Sequence, residues 1–207
     1  MTAFLLVITA IVAYVLGGMN GAIIASRCIF HDDVRNHGSG NAGLTNFHRT
    51  YGVKGIVLVL AVDVLKTVVS ALLGGILLRS QGAFEVGLLF GGFCAIFGHA
   101  APIMHGFKGG KGVLCAGTMI LFVDPVAGIC CWAVFFLVAI CTRYISLASC
   151  LACLAGPIFM VVFGHSGLEV LLTLFCAIVV VIRHAENIVR IIGGTENRFS
   201  FSRNGQK

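Results

Sequence analysis

Residues 55–78 carry only two charged side chains, Asp63 and Lys66, and residues 84–104 carry only Glu85. Uncharged runs of this length constrain the fold more than any other feature of the chain. A helix of about 20 apolar residues crosses a hydrocarbon core of about 30 Å, and no water-soluble core needs several of them. Composition agrees: 58% of the 207 residues are hydrophobic and 11% are charged, against about 45–50% and about 25% in soluble domains. Mean hydropathy is +1.03. The runs lack the ten-residue alternation of a membrane barrel. The expectation is an all-α integral membrane protein forming a single polytopic domain over residues 1–207.

Seven segments are expected, at about 3–25, 55–78, 84–104, 113–123, 125–141, 147–163 and 167–183. The first has Asn20 as its one strongly polar break and no basic leader, so it reads as a retained helix. The apolar stretch from Val113 to Cys141 divides at Asp124-Pro125, because the residue before a proline is pushed out of helical geometry. The resulting fourth segment is too short for a full crossing. Such a half-span is tolerated where protein or a water-filled cavity surrounds it. Most of the nine cysteines lie inside these runs, where a free thiol behaves as a small hydrophobe.

Seven crossings put the termini on opposite sides. With the N-terminus outside, the inner stretches hold every one of the fourteen basic residues except Lys66, inside a run, and Arg79. The outer turns hold Glu85, Asp124 and Glu169. That is the positive-inside pattern, with the C-terminus cytoplasmic. Three polar stretches then share the inner face: 26–54, 105–112, and the region from Arg183 onward.

Each of the three suits an anion. The loop His105-Gly106-Phe107-Lys108-Gly109-Gly110-Lys111-Gly112 combines glycines, whose N–H groups can converge, with two lysines, ahead of an expected helix start at Val113. It is not a Walker A loop: His105 and Gly112 stand where that motif needs glycine and a hydroxyl. The stretch Gly38-Ser39-Gly40-Asn41-Ala42-Gly43-Leu44-Thr45-Asn46, followed by Arg49, offers hydroxyls, amides and a guanidinium. Arg183, Asn187 and Arg190 follow i, i+4, i+7 spacing on an expected continuing helix, with His184 able to orient or deprotonate a hydroxyl. Each stretch also has a plainer alternative, as a flexible loop, a solvated loop or a snorkelling basic belt. Asp63 and Lys66 share a helical face and read as a structural ion pair, although Lys66 could also reach an anionic substrate.

The ordered set Gly38-Ser39-Gly40-Asn41-x-Gly43-x-Thr45-Asn46-x-x-Arg49, Asp63-x-x-Lys66, Gly98-His99-x-x-Pro102, Phe107-Lys108-Gly109-Gly110-Lys111-Gly112-Val113, Ser146-Leu147-x-Ser149 and Arg183-His184-x-x-Asn187-Ile188 with Gly194-x-Glu196 resembles the PlsY family of bacterial acyl-phosphate:glycerol-3-phosphate acyltransferases. The resemblance covers nearly the whole chain. Ala42 and Ala101 replace the family's usual proline and phenylalanine, and Leu114-Cys115 its usual Ala-Thr.

The resemblance implies acyl transfer from acyl-phosphate to the sn-1 hydroxyl of glycerol 3-phosphate. The products would be lysophosphatidic acid and phosphate, the first acylation of phospholipid synthesis. It implies catalytic roles for Ser39, Arg49, Lys108, Lys111, His184 and Asn187. Substrate and phosphate binding would fall to Gly38, Gly40, Asn41, Gly43, Thr45, Asn46, Gly109, Gly110, Gly112, Ser149, Arg183 and Glu186. Whether Lys108 or Lys111 neutralises the phosphate, and whether His184 or a substrate phosphate is the base, stays open. The expected partners are the two substrates and membrane lipid, with no cofactor, no metal and no nucleic acid. The oligomeric state is open, and a monomer is compatible. The expected location is the bacterial cytoplasmic (inner) membrane, multi-pass, with the site facing the cytoplasm. The competing class is a phosphate or organic-anion transporter, although the chain shows no internal repeat.

Overall fold

The structure, a computed structural model, describes residues 1–199 and is all α-helical over them. In chain order the helices are α1 (Thr2–Gly17), α2 (Gly21–Phe30), α3 (Leu44–Tyr51), α4 (Ile56–Leu78), α5 (Phe84–Ala100), α6 (Val113–Val123), α7 (Pro125–Thr142), α8 (Ile145–Val162), α9 (Gly167–Arg183) and α10 (Ala185–Ile192). The basic residues Arg203 and Lys207, counted above toward the inner face, lie outside the described residues.

All seven expected apolar segments are helical, but fewer meet the length of a crossing. Five units are long and apolar enough, with α1 and α2 counted together, or six if α9 and α10 form one span. The 11 residues of α6 extend only about 16 Å at about 1.5 Å per residue.

Local chemistry sets the helix ends. The segment expected as one helix over 3–25 is two, because Asn20 caps a new start: its Oδ1 accepts from Ile23 N at 3.0 Å. The second helix then runs on to Phe30. At Asp124-Pro125 the break falls as the sequence predicts. Asp124 Oδ1 accepts from Val126 N at 2.8 Å and from Ala127 N at 3.0 Å, with proline in the first turn. Ser166 and Glu169 form a reciprocal capping box at the start of α9.

Close approach by small residues packs α5 against α1 and α4, the usual device where lipid supplies no hydrophobic drive. A Cβ on Gly91 would lie 2.1 Å from Ser70 O, and one on Gly98 would lie 2.1 Å from Tyr14 O. Backbone cannot yield as a side-chain tip does. Gly91→Leu is therefore expected to cost about 3 kcal/mol or more and to lower the unfolding temperature of purified protein, as read by thermal aggregation in detergent.

Polar links gather the segment ends into two groups. At one end Thr2 Oγ1 donates to Gln81 Oε1 at 2.9 Å, and His165 joins Asp124 Oδ2 (2.8 Å) to Glu169 Oε2 (3.0 Å). At the other end Arg35 donates to His105 O at 3.0 Å, and Ser146 donates to Glu196 Oε1 at 2.7 Å. The three polar stretches meet at this second end.

Candidate active site

A cavity partly open to solvent lies where these stretches converge. Its walls are the 39–49 segment, the start of α6, parts of α7 and α8, and the junction of α9 with α10.

In the first wall, Ser39, Asn41, Gly43, Thr45, Asn46 and Arg49 line the cavity, while Gly38 and Gly40 do not. Asn46 shapes this segment rather than offering a free amide. It is 2% exposed. Its Oδ1 accepts from Ser39 N at 3.0 Å, and its Nδ2 donates to Val34 O (3.1 Å) and His37 O (3.0 Å). Gly38 turns with φ +56°, and a Cβ there would stand 2.3 Å from Asn46 Oδ1. Asn20 Nδ2 donates to Ala42 O at 2.9 Å and pins the segment to the bundle. Arg49 makes no ion pair or hydrogen bond among the described residues, so its guanidinium faces the cavity uncommitted.

The glycine-lysine loop divides its roles. Lys111 and Gly112 line the cavity; Lys108, Gly109 and Gly110 do not. Gly110 N donates to His99 O at 3.0 Å. A Cβ on Gly109 would lie 2.0 Å from His99 O, and one on Gly110 would lie 2.2 Å from His99 Nε2. These two glycines let the loop press against α5, so their N–H groups do not form an open nest. Arg183 stands outside the cavity and clamps the same loop, donating to Gly110 O (3.3 Å) and Gly109 O (3.4 Å). Lys108 is exposed. Lys111 turns inward and donates to Asn187 Oδ1.

The expected continuous helix through Arg183, Asn187 and Arg190 is not formed: α9 and α10 meet at 58°. His184 makes the bend. Its backbone N bonds back three residues, to Val181 O at 2.9 Å, and its ring Nδ1 reaches Val180 O at 2.8 Å, the carbonyl that the helix would have used. A carbonyl only accepts, so Nδ1 carries the hydrogen and Nε2 keeps a lone pair. The bend turns His184 and Asn187 into the cavity. Glu186 faces away; it is exposed and 3.8 Å from Arg190.

Other lining groups were not singled out as site residues from sequence. Glu196 Oε1 accepts from Asn187 Nδ2 (2.6 Å) and Ser146 Oγ (2.7 Å), and Oε2 accepts from Arg190 Nε (2.8 Å). Burial opposes its charge, but these three donors hold its carboxyl below the usual range. The carboxylate thereby fixes Asn187 with Oδ1 toward Lys111. Glu196, Ser146 and Arg190 all stood in or beside the quoted motifs, which was the available signal. Trp132 and Phe135 carried none, being apolar residues in an apolar run. Ser149 lines the cavity, with its hydroxyl donating to Ile145 O at 2.8 Å.

Asp63 and Lys66 form the expected buried pair, at 2.7 Å. Lys66 does not line the cavity and so does not extend to a substrate there, because its ammonium is spent on Asp63, His99 and Met19 O. That ammonium engages Asp63 and His99, two of the three members of the Asp63, His99 and Cys115 cluster, which otherwise has metal-ligand proximity. Arg190 is neutralised by Glu196. The cavity is thus left with two cations lacking carboxylate partners among the described residues, Arg49 and Lys111.

Burial pushes the Lys111 ammonium down from 10.5 to about 8. Two effects of opposite sign follow. Phosphate binding needs the ammonium, so kcat/KM is expected to fall as pH rises through about 8. The folded state binds this proton less tightly than the unfolded state. Its contribution to stability is therefore present above 10.5 and lost as pH falls through about 8. Rate and unfolding temperature measured from pH 7 to 10 check both slopes, and Lys111→Met removes both.

A second, smaller cavity shares Val113, Trp132 and Phe135 with the first and is otherwise walled largely by apolar residues of α6 to α9. Together these features define an integral membrane protein whose cationic, hydroxyl-rich site adjoins an apolar chamber. Residues 7–194 match the family model described as glycerol-3-phosphate acyltransferase. Similar proteins include the glycerol-3-phosphate acyltransferase of Clostridioides difficile (strain 630), 38% identical over 96% of this chain and 97% of the relative. That of Thermoanaerobacter sp. (strain X514) is 34% identical over 93% and 94%. Among solved structures, a crystal structure of PlsY (YgiH), an integral membrane glycerol 3-phosphate acyltransferase in its glycerol 3-phosphate form, superposes with a TM-score of 0.84. It is 36% identical, covering 94% of this chain and 96% of that one. Its lysophosphatidic acid form gives 0.83 at 33% identity, covering 94% and 95%. The chain belongs to the glycerol-3-phosphate acyltransferase family and is a membrane acyltransferase of the PlsY type.

Proposed function

We propose that the chain transfers an acyl group from acyl-phosphate to the sn-1 hydroxyl of glycerol 3-phosphate, releasing lysophosphatidic acid and inorganic phosphate. The carrying observation is the joining of two cations without carboxylate partners among the described residues, Arg49 and Lys111, and the lone pair of His184 Nε2 in one cavity that shares a wall with an apolar chamber. Both substrates bear phosphate, and the chamber suits the acyl tail.

The alcohol oxygen forms a bond to the acyl carbon, the bond from that carbon to the phosphate oxygen breaks, and the phosphate leaves with the electron pair. The hydroxyl proton passes to His184 Nε2 or to a substrate phosphate. The donor is already activated, so the chain contributes orientation and charge stabilisation. Asn187, held by Glu196, and Ser149 position hydroxyls, while Ser39, Asn41, Thr45 and the Gly112 turn complete the phosphate surroundings.

The reading places the protein in the bacterial inner membrane as one polytopic domain. It crosses seven times counting α6, with the N-terminus outside and the cavity toward the cytoplasm. The end of the bundle that bears the cavity also carries Arg27, Arg35, Arg49, Lys54, Lys108 and Lys111, which supports that orientation. The test is formation of lysophosphatidic acid, with matching phosphate release, by detergent-purified protein. Both are expected with acyl-phosphate and glycerol 3-phosphate together, and no lysophosphatidic acid is expected when acyl-CoA replaces the donor. Release independent of glycerol 3-phosphate would overturn the reading.

A further inference from the structure

One polar group on the cavity floor has no task in the chemistry above. Lys66, on α4, has its Nζ 2.7 Å from Asp63 Oδ1, 2.8 Å from His99 Nδ1 and 3.0 Å from Met19 O. An ammonium offers three hydrogens and accepts none. These three neighbours are three acceptors, so each hydrogen is taken and His99 Nδ1 must be the acceptor. The hydrogen of the neutral imidazole therefore sits on Nε2.

His99 is 4% exposed, and nothing among the described residues accepts from its Nε2. Its ring lines the cavity together with Asp63, whereas Lys66 does not. Nδ1 is taken by Lys66, and Nε2, which is not sealed from solvent, is the ring nitrogen left to the cavity. Nε2 packs beside the backbone of Gly110, next in sequence to Lys111. In the resting cavity solvent can take this hydrogen bond. When substrates displace the solvent, a buried donor left unpaired is costly, and a substrate oxygen has to take its place.

We propose that His99 is a further substrate-contacting residue, whose Nε2–H donates to a substrate phosphate oxygen beside Lys111, with Lys66 and Asp63 fixing the ring tautomer. The assignment rests on the acyl-phosphate reading for the identity of the substrates. A neutral donor suits this floor. It binds phosphate without adding another desolvated charge next to Lys66, and the Lys66 ammonium on Nδ1 polarises the ring and strengthens the Nε2 donor.

Two amide substitutions separate this role from simple support of the bundle. His99→Asn sets an acceptor where Nδ1 stood, keeping the contact to Lys66 and losing the cavity donor. His99→Gln sets an amide N–H near Nε2 and loses the acceptor for Lys66. Unfolding temperature is expected to rank wild type, then Asn, then Gln. Activity is expected to rank wild type, then Gln, then Asn, with kcat/KM of the Asn variant reduced about 10- to 100-fold, the scale of a lost hydrogen bond to a charged group. Separate KM values for acyl-phosphate and glycerol 3-phosphate show which phosphate is touched. Activity that follows the stability ranking, or an Asn variant as active as wild type, overturns the proposal. If wild type itself releases no phosphate, the acyl-phosphate reading fails. The His99 contact is then read from thermal stabilisation by inorganic phosphate and by glycerol 3-phosphate: retained in Gln and lost in Asn supports it, equal in both overturns it.

Discussion

Lys111→Ala is expected to lower kcat/KM about 200- to 5,000-fold while leaving the unfolding temperature at or above that of the parent. The magnitude follows from leaving a bound phosphate without its buried counter-charge, which costs about 3–5 kcal/mol. The preserved stability follows from the sign of the burial effect: the folded state disfavours this ammonium, which burial pushes down to about 8. Arg49→Ala is expected to act in the same direction, since its guanidinium lines the cavity and has no partner among the described residues. Lys108→Ala supplies the contrast. Its side chain is exposed and outside the cavity, so activity within about threefold of the parent is expected, as for an exposed charge worth about 0–1 kcal/mol. Steady-state kinetics on purified variants, with an unfolding curve for each, decide the point. A Lys108 variant that loses as much activity as the Lys111 variant would move the phosphate to the outer side of the loop.

Gly110→Ala is the second large effect. The added carbon would meet His99 Nε2 at 2.2 Å and Ala42 O at 2.6 Å, so the loop must lift away from both. Lys111 is the next residue and would move with it. A displacement of about 1 Å in a positioned group costs about 100-fold in rate, and that loss in kcat/KM is the expectation here. Gly109→Ala, which meets His99 O at 2.0 Å, is expected to behave alike. Gly106 is the control in the same loop. A Cβ there meets nothing within 4 Å, and its φ of +63° is one that asparagine tolerates, so Gly106→Asn should keep nearly full activity.

The glycine pair also shows what could be read in the sequence. Gly109 and Gly110 stood out as a candidate anion nest because a glycine-lysine loop ahead of a helix often is one. The structure uses them for close packing against His99, a long-range contact that no local pattern encodes. Asp124-Pro125 was legible because both halves of the rule, a capping carboxylate and a proline at the first helical position, are neighbours in sequence. The break at Asn20 was not, since one amide in an apolar run reads as a tolerated polar residue until its partner, Ala42 O, is known. The bend at His184 likewise depends on a side chain taking a backbone acceptor, Val180 O. Lys111, Arg49, His184 and Asn187 could be singled out from sequence as candidates, because their types declare phosphate or hydroxyl chemistry, and all four line the cavity. The part of Glu196 was missed because a carboxylate at an anion site makes sense only once its three donors are seen.

Family membership favours the acyltransferase over the transporter alternative, and the central claim becomes one of location: the substrate phosphates bind between Arg49 and Lys111. A structure of the protein with glycerol 3-phosphate tests it most directly. The account predicts phosphate oxygens at hydrogen-bond distance, about 3 Å, from Lys111 Nζ or the Arg49 guanidinium, inside the cavity. Phosphate bound instead against Lys108 and Arg183, on the outer side of the loop, would contradict it.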